Sequence, residues 1–171
     1  DENSPMGLCY TSGTTGKPKG VMYTHRANYL HTISIAMTDV MGLSATDTLL
    51  GIVPLFHANA WGLPWVATML GMKQVYPHRF MVPDHLARLI RDCDVTISAG
   101  VPTIWQGIKG LMEANPGKYE FKTLTRLTCG GSAPPPSLIE WFWDELGVEM
   151  VQGWGMTETS PLATISRRTG K

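Results

Sequence analysis

The chain has 171 residues, 43% of them hydrophobic, and its 14 Lys and Arg are balanced by 14 Asp and Glu. That length supports one sizeable core and leaves no room for two comfortable domains. A formal net charge of zero provides no basic field for nucleic acid or an anionic membrane, and no apolar run reaches the roughly 20 residues that span a bilayer, so any phosphate affinity must be local.

Met6 to Tyr10 is a short apolar run that predicts a buried strand. It delivers Tyr10 to Gly20, Tyr-Thr-Ser-Gly-Thr-Thr-Gly-Lys-Pro-Lys-Gly, which holds four Ser or Thr hydroxyls, three glycines and two lysines. Unhindered backbone amides, hydroxyl donors and local positive charge are what a polyphosphate needs. The Walker A spacing is absent. A flexible linker shares this composition, but a linker rarely sits between two apolar segments, and Val21 and Met22 follow the loop directly.

Val21 to Tyr23 predicts a second short strand, and Thr24 an N-cap. Leu30, Ile33, Met37 and Val40 or Met41 then recur at helical spacing, so an amphipathic helix is expected to run to Gly42 with these residues as its buried face. His25, Arg26 and His31 fall on or near the polar side, as solvated residues without assigned chemistry. Thr48 to Val53 is the next strand, ended by Pro54. The loop Leu55 to Gly62 carries His57, Asn59 and Trp61 beyond a strand end, where ligands of open α/β sheets collect; a packed turn with an incidental His57 explains it as well. A short helix follows to Leu70.

Lys73 to Tyr76 predicts a strand, Pro83 to Cys93 an amphipathic helix, Val95 to Ala99 a strand, and Thr103 a cap for a helix through Met112. Leu124 to Cys129 leads to Gly130-Gly131-Ser132-Ala133. Pro134 to Ser137 lead into a helix ending near Leu146, and Val148 to Gln152 is a last strand before the loop Gly153 to Pro161. This alternation predicts an α/β fold, layered, with a mainly parallel sheet and flanking helices. Cys9, Cys93 and Cys129 are odd in number and widely spaced in apolar segments, which suits reduced core thiols in a cytoplasmic setting and disfavours a zinc site. With Asp1 in place of an initiator Met and the Gly-rich loop arriving almost at once, the chain is expected to be a piece of a longer protein.

In Gly153-Trp154-Gly155-Met156-Thr157-Glu158 a flat aromatic, a hydroxyl and a carboxylate could stack a base, bond a phosphate and hold a divalent metal; alone, the stretch could equally be an ordinary turn. Taken together, Tyr10 to Gly20, Val53-Pro54-Leu55-Phe56-His57, Gly130-Gly131-Ser132 and Gly153 to Pro161 resemble, in this order and at these separations, the core motifs of the adenylate-forming superfamily. Pro54 to Gly62 with Ala99-Gly100-Val101-Pro102-Thr103 is most similar to medium- and long-chain fatty acyl-CoA ligases. Amino-acid-activating relatives carry an Asp near the Phe56-His57 position, and no Asp occurs from Leu49 to Tyr76.

The resemblance implies the central part of the large AMP-binding domain, with the small C-terminal domain absent from these 171 residues. It implies ATP-dependent activation of a fatty acid to an acyl-adenylate and then to acyl-CoA, with ATP, Mg2+, CoA and a carboxylic acid as small-molecule partners. By resemblance, Thr11, Ser12, Gly13, Thr14, Thr15, Gly16 and Lys19 would cradle the β- and γ-phosphates, with Thr11 a metal neighbour. Gly130, Gly131, Ser132, Ala133, Gln152, Gly153 and Trp154 would border the adenine. Thr157 would bond the α-phosphate and Glu158 would hold Mg2+. His57 matches a position near the reacting carboxylate, Trp61 one that gates the acyl tunnel, and Val101 and Pro102 would line the acyl pocket. Trp154 stands where most members have Tyr, which keeps stacking and loses a phenolic hydroxyl. The alternatives are a ligase for a short, thioether or aryl acid, and a nucleotide-binding module without catalysis.

Overall fold

The computed structural model describes residues 1–12 and 16–167. Six strands, β3 (Thr48–Gly51), β4 (Lys73–Val75), β5 (Ile97–Gly100), β6 (Arg126–Cys129), β7 (Glu149–Gly155) and β8 (Leu162–Ser166), form one sheet in the order β4-β3-β5-β6-β7-β8. All neighbours are parallel except β7 and β8. The expected layered, mainly parallel sheet with flanking helices is therefore present.

Side chains of a strand alternate between faces, and the two faces build two cores. Leu50, Leu127 and Cys129 pack with α3 (Pro83–Asp92), α4 (Pro102–Ala114) and α5 (Pro136–Leu146), where Trp105 and Phe142 are fully buried. Leu49, Ile97 and Ala99 face the other way, onto α1 (His25–Ala36) and α2 (Leu63–Leu70). At the N-terminal edge of the sheet, Asp47 ties three segments together: its carboxylate accepts from Arg126 Nη2 at 2.9 Å, Thr96 Oγ1 at 2.7 Å and the Ser44 amide at 2.9 Å.

β1 (Pro5–Thr11) and β2 (Lys19–Thr24) form a separate antiparallel hairpin, with Cys9 opposite Val21 and Thr11 opposite Lys19. Only Cys9 and Tyr23 of the hairpin are buried, while Leu8, Tyr10 and Met22 are exposed. The expectation of a buried first strand is corrected: β1 has one partner, and one apolar contact row does not cover two faces.

α1 also departs from its pattern. Thr24 caps it as expected, its Oγ1 accepting from the Ala27 amide at 3.0 Å. The helix ends at Ala36 rather than running to Gly42, because the Met41 amide folds back to Ile35 O and the Gly42 amide to Met37 O. Its buried face is His31, Thr32 and Ile35, and the expected face of Leu30, Ile33 and Met37 is exposed. Each buried polar residue keeps one side-chain hydrogen bond: Thr32 Oγ1 donates to Asn28 O, and His31 Nε2 accepts from the Leu162 amide at 3.1 Å.

Two smaller expectations fail. Thr103 does not cap α4; Val101 holds that position and Pro102 opens the helix. Beyond Gln152 the chain is not immediately a loop, because β7 continues to Gly155 against the unforeseen β8.

Candidate functional site

Beyond the C-terminal ends of β5, β6 and β7 lies a cleft of about 270 Å³. His57, Trp61, Gly130, Gly131, Gly153 and Thr157 line it, so residues from three separated sequence motifs meet at one place. Parallel strands put their carboxyl ends on one edge, and each following loop opens there.

The wall made by residues 57–62 is held in an unusual backbone. Ala58, Asn59, Ala60 and Trp61 have φ of 44°, 53°, 52° and 58°, a left-handed turn that costs side-chain-bearing residues roughly 1–2 kcal/mol each. Asn59 is fixed from the hairpin side, its Oδ1 accepting from Cys9 Sγ at 3.6 Å. The turn lays the Trp61 indole against Gly130, where a Cβ would come within 3.2 Å of the ring and 3.1 Å of Gly153 O. A side chain at Gly130 would therefore fill this corner.

The loop after β7 is equally constrained. A Cβ on Gly155 would lie 2.1 Å from Pro161 O, so only glycine fits opposite the return into β8. Between them, Thr157–Thr159 form a 3-10 turn. Tyr23 Oη donates to Thr157 O at 2.6 Å, tying this turn to the hairpin. Burial, then the neighbouring Cys9 and the Glu158 carboxylate, push the Tyr23 phenol up to about 12, so it stays a donor at neutral pH.

The other expected residues do not line the cleft. Thr11 is half-buried and Ser12, Gly16 and Lys19 are exposed at the far end of the hairpin; Gly13, Thr14 and Thr15 lie outside the described residues. Ser132 and Ala133 are exposed after β6. Gln152 lies half-buried on β7 between Cys129 and Ser166, and Trp154 on the same strand is 54% exposed. Val101 approaches the cleft from behind Gly131, whose Cβ would lie 3.1 Å from Val101 Cγ1, and Pro102 is buried in the first turn of α4. Glu158 is exposed.

The floor of the cleft is what the motifs left out. It is apolar, built from Ile35, Met41, Leu63, Ala99 and Leu162, with Thr128 beside them. Ala99 stood at the head of a noted motif; Ile35 and Met41 lie on a segment to which the sequence attached no chemistry. His31 lies behind this floor. Its ring packs on Gly62, its Nδ1 finds no hydrogen-bond partner among the described residues, and burial pulls its pKa down to about 4. Cys9, Cys93 and Cys129 are free thiols, and burial pushes Cys129 up to about 12, which leaves it unreactive.

Among the described residues there is no group of three or more His, Cys, Asp or Glu that could cage a metal. Mg2+ bound to a nucleotide needs less: one or two carboxylates, with phosphate oxygens and waters completing the shell. Glu158 and Thr11 offer oxygen ligands of that kind. Nor is any helix among the described residues long and apolar enough to cross a membrane.

Comparison with known proteins gives a consistent picture. The family model of the AMP-binding enzymes matches residues 1–171. The chain is 49% identical over 166 residues to a medium-chain-fatty-acid–CoA ligase of Ectopseudomonas oleovorans, covering 97% of this chain and 30% of the relative. It is 46% identical over 171 residues to a 3-methylmercaptopropionyl-CoA ligase of Ruegeria pomeroyi, covering 100% and 31%. It is 47% identical over 161 residues to a long-chain-fatty-acid–CoA ligase of Thermus thermophilus, covering 94% and 29%. Among solved structures, o-succinylbenzoate CoA synthetase of Bacillus subtilis in complex with ATP and magnesium ion superimposes with a TM-score of 0.80 at 31% identity, over 98% of this chain and 33% of that one. The chain thus spans about a third of the length of these relatives.

Proposed function

Because this chain belongs to the AMP-binding enzyme family, we propose that it is the central part of the large domain of an AMP-forming fatty acid–CoA ligase. The observation that carries the reading is the cleft itself: His57, Trp61, Gly130, Gly131, Gly153 and Thr157 converge on it from segments a hundred residues apart.

The reaction has two displacements. A carboxylate oxygen of the acid attacks the α-phosphorus of ATP, a P–O bond forms, and the bond to pyrophosphate breaks. The thiol sulfur of CoA then attacks the acyl carbon with loss of its proton, and AMP leaves with the electron pair. Negative charge builds on phosphate oxygens in the first step, so fixed donors aimed at them lower the barrier. Thr157 is the hydroxyl for the α-phosphate, held at its backbone by Tyr23. Thr11, Ser12, Gly16 and Lys19, with Gly13, Thr14 and Thr15, receive the departing pyrophosphate. Gly130, Gly131, Gly153 and Trp154 accept the adenine, Trp154 being exposed enough to stack. Ser132, Ala133 and Gln152 flank it. His57 and Trp61 face the reacting carboxylate, with Val101 and Pro102 behind. Glu158 and Thr11 would hold Mg2+, whose charge offsets that of the phosphates.

The proposal extends to a cytoplasmic enzyme of lipid metabolism, with which three free cysteines agree. Incubating the full-length protein with ATP, Mg2+, CoA and a panel of acids tests it: AMP and pyrophosphate are expected, and ADP with phosphate would overturn it. The thioether-acid relative at 46% identity favours one second reading, a ligase for a short thioether acid, which the same panel separates.

A further inference from the structure

His31 is buried, polar and absent from the cleft lining. Its Nε2 accepts the Leu162 amide at 3.1 Å, which in a neutral ring puts the proton on Nδ1, and Nδ1 has no partner among the described residues. A buried donor left unpaired costs about 1–3 kcal/mol. An apolar side chain here avoids that cost; what it lacks is an acceptor for Leu162.

The two edges of the ring meet the two walls of the cleft. At the Nε2 edge is the loop after β7. The Met156 amide closes that loop on Pro161 O at 3.1 Å and on Thr159 Oγ1 at 2.9 Å, so Thr157 sits in a unit braced by its own hydrogen bonds. From outside, the unit is gripped at Thr157 O by Tyr23 and at the Leu162 amide by His31. Leu162 itself lines the cleft, its Cδ1 3.1 Å from where a Cβ on Gly153 would lie. At the Nδ1 edge is Gly62, the end of the left-handed turn that carries His57 and Trp61. With φ of 77° and no side chain, it admits the ring so closely that a Cβ would lie 2.8 Å from Nδ1 and 2.9 Å from Cε1. The imidazole thus stands between Gly62 and Leu162, in contact with both.

Resting on the ligase reading, we infer that His31 is a positioning residue for adenylation: it sets the distance between the turn bearing His57 and the loop bearing Thr157, and so between the acid's carboxylate and the α-phosphate. It touches neither substrate. A displacement of about 1 Å at reacting groups costs up to about 10²-fold in rate, which is the scale on which such a spacer acts.

Two variants separate the acceptor from the bulk. Gln and Met are close in shape, but Gln offers Oε1 to the Leu162 amide and Met only a weakly accepting sulfur. The experiment measures acid-dependent exchange of labelled pyrophosphate into ATP by the full-length protein and both variants at neutral pH, with thermal midpoints as the folding control. His31→Met should fold, lose about 10-fold in kcat and keep its KM for ATP within about 2-fold, since the adenine wall is untouched. His31→Gln should keep kcat within about 2-fold. Deuterium uptake of the peptide containing Leu162 should rise in His31→Met and not in His31→Gln. A wild-type kcat in folded His31→Met, or an effect confined to KM for ATP, overturns the inference and leaves the ligase reading intact. So does a 10-fold loss of kcat in His31→Gln, which decides the matter even where His31→Met does not fold. No acid-dependent exchange by the wild type overturns both.

Discussion

His31 is the residue most at odds with its local sequence. Nothing around it marks it as buried, yet its Nε2 accepts the Leu162 amide and so joins α1 to β8 behind the cleft floor. Accepting that bond requires the neutral ring. Burial lowers its pKa from the ordinary 6.5 to about 4, so between those values the unfolded chain binds a proton that the folded chain does not. Stability should therefore be flat above pH 6.5 and fall as pH drops through that window, losing about 3 kcal/mol in all. Urea midpoints from pH 7.5 to 4 check this, and His31→Gln should abolish that part of the slope. Thr157 makes a separate prediction. If its hydroxyl serves the α-phosphate, Thr157→Ala should lower kcat for adenylation by about 10²–10³ with little change in thermal midpoint, since its backbone bond to Tyr23 survives. An unchanged kcat would remove Thr157 from the mechanism.

Between elements, single hydrogen bonds join segments far apart in sequence. Tyr23 joins the hairpin to the 3-10 turn through one hydrogen bond to Thr157 O. Tyr23→Phe should cost about 1 kcal/mol of stability and, by loosening the turn, raise KM for ATP; urea midpoints read the first arm and pyrophosphate exchange at varied ATP the second. Gly155 is less forgiving. Its Cβ position is 2.1 Å from a backbone oxygen, which no side-chain rotamer can relieve. Gly155→Ala should therefore separate β7 from β8 and destabilise by about 3 kcal/mol or more. The strands and their order of appearance were legible because short apolar runs ended by Gly or Pro are local signals. β8 was not, because Leu162–Ser166 has two half-buried apolar residues and otherwise small or polar ones. The face of α1 was misread for the complementary reason: its periodicity points to Leu30 and Ile33, while the partner that buries His31 lies 131 residues away.

For the whole molecule, the mouth of the cleft was legible and its depth was not. Glycines, His57, Trp61 and Thr157 announce themselves by type and spacing. Ile35, Met41 and Leu63 look like any core residues until the fold sets them opposite Ala99. The left-handed turn at Ala58–Trp61 also escaped, since two alanines in it give no sign of positive φ. The chain by itself leaves much apolar surface open: Leu8, Met22, Leu30, Ile33, Met37 and Phe56 are all exposed. Produced alone, these 171 residues should self-associate and show no acid-dependent AMP formation above background, and a monomer by sedimentation would contradict the first expectation. Finally, the hairpin is a sheet of its own, joined to the rest through its run into α1 and a few side chains such as Tyr23 and Cys9, whereas β3 to β8 share one continuous ladder. Such an appendage opens independently of the sheet. Its amides should exchange with solvent well before those of β5 and β6. A protease nick at exposed Lys19 should leave the six-stranded body folded and, if the hairpin loop receives the outer phosphates as proposed, weaken ATP binding by the full-length protein.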